Sequence, residues 1–148
     1  MSGTSGSSSP EGGSRPELSG SSSPDGARVA ALRGATTLES DTREEVLTRT
    51  AELLGTIMVR NGLRTDDVVS LVFTATDDIS AEFPAAAVRA AGIADVPMLC
   101  ARELEITGGT AVPLCVRVLA HVYTERPRAE LRHAYLRGAR QLRSDLPE

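Results

Sequence analysis

The sequence contains no tryptophan and no lysine, and only two Phe and two Tyr. With so few rings, any core must be built from aliphatic side chains. Without lysine, all 16 basic residues are Arg, so an anion site here must use guanidinium forks. Two cysteines, Cys100 and Cys115, are too few for a disulfide framework and point to reduced thiols in a cytoplasm. No apolar run is long enough to span a bilayer, so no membrane partner is expected. The net charge of −4 argues against a nucleic-acid partner. The phosphate-cradling glycine loops, the G-x-S-x-G elbow and metal-ligand spacing around His121 and His133 are also missing. Nucleotide, serine-hydrolase and zinc mechanisms therefore have no support in the sequence.

The chain divides into two parts. Residues 1–26 contain ten Ser, six Gly and three Pro, with Met1 and Leu18 as the only large apolar side chains. Such a segment cannot bury enough apolar surface to offset the entropy of ordering it, and it reads as a disordered tail. Residues 27–148 form one domain of ordinary size. Arg28–Ala35 reads as a first strand. Thr42 followed by Glu45 is a capping-box pattern, and the apolar spacing from Val46 to Met58 predicts a helix that stops at Asn61-Gly62. Asp67–Thr76 reads as a buried strand. A short helix is expected over Phe83–Ala91, a strand over Val96–Glu103, a turn at Thr107–Gly109 and a strand over Leu114–Tyr123. Glu130–Arg143 has helix propensity. This order implies an α+β domain, a mixed sheet with helices on one side.

Two charged residues stand out. If the turn centres near residue 110, antiparallel pairing would set Glu103 opposite Arg117 on one face of the sheet. That pair is either a structural ion pair on a solvated face or the polar wall of a cavity. Arg117 lies between Val116 and Val118 in an apolar strand, so it faces solvent or lines a polar cavity; the sequence favours neither. Gly34, after Arg33, permits close approach of backbone or ligand. Taken one at a time, Phe83, Arg89, Cys100, Tyr135 and Arg143 carry no functional signal.

Taken in order, the segments do. L-R-G-A-T-T (Leu32–Thr37), E-x-D-T-x-E-E (Glu39–Glu45), T-A-T-x-D (Thr74–Asp78), F-P-A-x-A-V-R (Phe83–Arg89), C-x-x-E (Cys100–Glu103), T-G-G (Thr107–Gly109), C-V-R-V (Cys115–Val118), R-H-x-Y-L (Arg132–Leu136) and L-R-x-D-L (Leu142–Leu146) together resemble the monofunctional trimeric chorismate mutases. The resemblance implies a trimeric pseudo-α/β-barrel with active sites between subunits. It implies an intramolecular rearrangement of chorismate to prephenate, with no cofactor and no metal. It also favours a strand beginning near His133. By resemblance, Arg117 donates to the ether oxygen, and Glu103 and Cys100 meet the ring hydroxyl. Arg33 and Tyr135 bind the side-chain carboxylate. Phe83, Ala85 and Arg89 shape the pocket from the other side of the interface, and Arg143 closes over the ring carboxylate. Ala86 stands where members often carry Lys, Leu99 where Thr is familiar, and the loop after Gly109 is longer by about two residues. Two other expectations compete: a trimeric deaminase of enamines and imines on the same fold, and a non-catalytic module that binds a carboxylate metabolite.

Overall fold

In the computed structural model, residues 26–109 and 111–142 are described. Residues 1–25 of the tail and Arg143, with the segment that follows it, lie outside the described residues.

Strand β1 spans Arg28–Thr37 and helix α1 spans Arg43–Arg60. The helix begins where the sequence predicts: the Oγ1 of Thr42 accepts from the Glu45 backbone N–H at 3.2 Å. The box is not reciprocal, however. The Glu45 carboxylate reaches past Thr42 to the Glu39 N–H at 2.8 Å and also holds Arg49. Val46, Thr50, Leu53 and Ile57 form the buried stripe of α1. Asn61 ends it, and Gly62 takes a φ of +61° that an L side chain resists. The Asn61 side chain is buried and fully used: its amide donates to Ile57 O and Arg132 O, and its oxygen accepts from Arg132 N–H.

Strand β2 is Val68–Ala75, followed by the short helix α2, Ala85–Ala90, and strand β3, Met98–Arg102. Helix α2 is shorter than expected because Pro84 serves as its cap. Strand β4 is Cys115–Thr124, and β5 is only Ala134–Tyr135. The helix propensity after Glu130 is overridden. Tyr135 pairs in parallel with Ala35 of β1, and Leu136 N–H donates to Ala35 O. Only a 3-10 turn, Arg137–Gln141, remains of that helix, with Arg137 at φ +55° where it begins.

The sheet order is β3-β2-β4-β1-β5. Strands β1 and β2 both run antiparallel to β4, and β3 runs parallel to β2. This corrects the hairpin expected around residue 110. A strand that returns through a helix is parallel to the one it left, so β3 docks on the outer side of β2. The chain then crosses the end of β2 to start β4 on its other side.

The two faces of the sheet differ. Leu32, Leu71, Phe73, Val116, Val118 and Ala120 pack against α1 and α2 as an almost wholly aliphatic core. Gly34 belongs to that face. A Cβ there would lie 2.8 Å from Ile57 Cδ1 and 3.0 Å from Ala134 O, so the close approach it permits is that of helix and backbone. On the other face no element of the described chain covers Val29, Leu99, Leu119 and Tyr123, which are 53, 68, 37 and 44% exposed. No helix among the described residues is long and apolar enough to cross a membrane.

Candidate active site

Arg117 sits on the open face of β4, with Ala35 and Thr74 as its cross-strand neighbours. Its Nε lies 3.1 Å from the Glu103 Oε2. Glu103 is just beyond β3, held by its own N–H on Ala75 O at 3.0 Å. One strand, β2, lies between the two residues, and the small Thr74 side chain there donates its hydroxyl to the same Glu103 oxygen. The ion pair expected from the sequence is therefore present, but it spans two strand spacings. Thr74 is the part that sequence reasoning missed, although it opens one of the quoted motifs.

Arg33 and Tyr135 line the same cavity of about 460 Å³ as Glu103 and Arg117. Arg33 projects from β1 beside Leu119, and its backbone N–H donates to His133 Nδ1 at 3.0 Å. Tyr135 is buried at the end of this wall. The Arg117 and Glu103 side chains are 38 and 22% exposed, so the pair is reachable and solvated in the single chain. From β4 as well, Cys115 lies beneath Arg117; burial pushes its thiol up to about 11, although the guanidinium pulls the other way. It is a neutral thiol at physiological pH.

Phe83 and Cys100 are elsewhere. They line a neighbouring cavity of about 500 Å³ with Glu82, Pro84 and Arg102, which shares Thr74 with the first. Cys100 shares its sheet face with Phe73, the helix-covered side, opposite to Arg117. The single chain therefore does not bring Cys100 and Glu103 together as the resemblance implies. Ala85 is buried in the core at the start of α2, and Arg89 is exposed on the same helix, near enough for its charge to act on Glu82. Arg143 lies outside the described residues.

The loop that carries Phe83 is pinned from several sides. The Asp41 carboxylate accepts from Ser80 N–H, Ser80 Oγ and Ala81 N–H, which holds its pKa below the ordinary 3.8. Arg43 pairs with Glu82 at 2.9 Å. The Phe83 N–H, donated to Glu82 first of all, and then Arg43 keep that carboxyl below 4.5. From β3, Arg102 Nη1 donates to Thr76 O at 2.8 Å and Ile79 O at 3.0 Å. Bonds of this kind have no periodic signature, and none was legible beforehand.

The arrangement is two cavities. One is lined by two guanidinium groups, a carboxylate and a phenol; the other by an exposed ring, a thiol, an arginine and the Glu82 carboxylate. The first can bind an anion and stabilise charge on an oxygen.

Residues 29–146 match the family described as chorismate mutase type I. The chain is 43% identical over 119 residues to chorismate mutase AroH of Bacillus subtilis, covering 80% of this chain and 92% of the relative. It is 41% identical over 119 residues to chorismate mutase AroH of Thermus thermophilus, covering 80 and 96%. Among solved structures, a chorismate mutase from Clostridium thermocellum superposes with a TM-score of 0.72 at 38% identity, covering 76% of this chain and 98% of that one. On the matched profile, the identities and the shared fold, the chain belongs to the chorismate mutase type I family.

Proposed function

We propose that this protein converts chorismate to prephenate, as a homotrimer whose active sites lie between subunits. The observation that carries the reading is the Arg117–Glu103 pair facing Arg33 and Tyr135 across one cavity in a member of this family.

The reaction needs no group transfer. The ether C–O bond stretches ahead of C–C bond formation; negative charge gathers on the enolpyruvyl oxygen and positive charge spreads over the ring. A protein assists by holding the reactive conformer and by placing fixed charges where charge develops. An acceleration of about 10⁶-fold corresponds to roughly 8 kcal/mol. In this reading, Arg117 donates to the ether oxygen. Its Nε is committed to Glu103, which fixes the plane of the guanidinium and leaves its outer edge for substrate. Glu103, oriented by Thr74, accepts from the ring hydroxyl and faces the positive side of the transition state. Arg33 and Tyr135 take the side-chain carboxylate. Phe83, Ala85, Arg89 and Cys100 enter from a neighbouring copy, and Arg143 closes the site.

Two features support the trimer. The half-sites are distinct, neighbouring cavities in one chain. The open sheet face also exposes Leu119, Tyr123 and Val29, which a second copy would cover. We place the protein in the cytoplasm, consistent with two cysteines being too few for a disulfide framework.

The test is loss of chorismate absorbance by purified protein with EDTA present, and identification of the product. Rapid, saturable formation of prephenate is expected. A folded protein that leaves chorismate unchanged would overturn the reading.

A further inference from the structure

We infer that Arg102 binds one carboxylate of the substrate from the Phe83 side of the site. This assignment rests on the mutase reading above, and the resemblance gives this residue no role.

Arg102 is the last residue of β3, next to Glu103 in sequence but on the opposite side of the strand. It lines the cavity shared by Phe83 and Cys100. Among the described residues, the only other charged one lining that cavity is Glu82, which Arg43 and the Phe83 N–H already engage. A dianionic substrate spanning both half-sites would meet Arg33 and Arg117 at one end and Arg102 on this wall, with Arg89 of α2 near the same cavity.

The guanidinium is also held ready. Both described hydrogen bonds use Nη1, to Thr76 O and Ile79 O. Nε lies 3.8 Å from an Asp77 oxygen, a loose contact between exposed side chains. The Nη2 edge makes no hydrogen bond to the described residues, and the side chain is 52% exposed. An arginine fixed through one nitrogen presents the rest of its planar fork without further ordering, which favours a bidentate partner such as a carboxylate. Holding the loop and binding substrate are compatible, since they use different nitrogens.

The two roles separate in Arg102→Gln and Arg102→Lys. Glutamine keeps a donor for the loop carbonyls and removes the charge; lysine keeps the charge and removes the fork. Chorismate kinetics, prephenate titration by calorimetry and melting temperature are measured for each. The expected result for Arg102→Gln is a rise of about tenfold in KM and in the prephenate Kd, the size of a lost charge-assisted bond, with kcat within about twofold. Arg102→Lys recovers part of the loss, and neither melting temperature moves by more than about 2 °C. KM and Kd within about twofold of wild type in both variants would overturn the assignment. So would a fall in kcat and melting temperature without a change in Kd, which would leave Arg102 a loop pin. Wild-type protein that binds prephenate without turning over chorismate would sink the mutase reading while the calorimetry still judges Arg102. Protein that does neither would sink both.

Discussion

The helix-covered face and the open face of one sheet follow opposite rules. On the covered side, strands and helices exclude water with aliphatic side chains, and Gly34 is there because nothing larger fits between β1 and α1. On the open side, the strand positions one residue along carry Arg33, Thr74 and Arg117, with Glu103 just past a strand end. Changes in the aliphatic core of the covered face should therefore appear in stability, and changes at the charged positions of the open face in turnover. A residue that violates this division would show that the faces are coupled.

The largest expected effect is on the open face. Arg117→Ala should lower kcat by on the order of 10³-fold, as loss of a transition-state donor does, while circular dichroism and melting stay near wild type. A destabilised variant would mean that the Arg117–Glu103 pair is structural. The next effects are on the covered side. Asn61→Ala deletes a buried amide that ties the end of α1 to Arg132, and denaturant unfolding should show a loss of about 2–3 kcal/mol. Gly34→Ala forces a methyl against Ile57 and Ala134 O and should cost about 1–3 kcal/mol. Because Gly34 adjoins Arg33, it is also the sharpest test of separation: kcat of the protein that remains folded should be nearly unchanged.

A pH series gives a smaller signal. Asp41, Glu45 and Glu82 all have folded pKa values below their ordinary 3.8, 4.5 and 4.5. The causes are backbone N–H donors, from Ser80, Glu39 and Phe83 respectively. The folded state then binds fewer protons than the unfolded chain, so the stabilisation is complete above the ordinary values and disappears as pH falls through the folded ones. Melting temperature should be flat from about pH 7 to 5 and drop below about 4.5, with a shallower drop in Asp41→Asn. At the small end, deletion of residues 1–26 should leave kcat/KM unchanged within about twofold, since the family match begins at Val29. A larger fall would tie the tail to the site.

How much of this was legible in the sequence depends on the range of the signal. The start of α1 was readable because Thr42 acts on a neighbour three residues away. The Glu103–Arg117 contact was anticipated through a hairpin that does not exist. The contact forms because the crossover places β2 and Thr74 between the two strands, and nothing local in the chain encodes that order. The segment after Glu130 was ambiguous on local grounds: its helix propensity loses to pairing of Tyr135 with β1, in line with the strand near His133 that the resemblance favours. Cys100 was grouped with Glu103 by the resemblance; in the single chain strand alternation sends the two to opposite faces.

That separation makes one mixing experiment decisive. Arg117→Ala damages one half-site; Phe83→Asp places a carboxylate on the exposed ring position of the other and should repel a dianion. Each variant alone should be inactive. Unfolded and refolded together in equal amounts, random assembly of copies would leave about one quarter of interface sites with both halves intact. Activity near that fraction of wild type is the predicted result. No recovery, from chains shown to have exchanged, would mean that the site is completed within a single chain and that the two cavities do not belong to one active site.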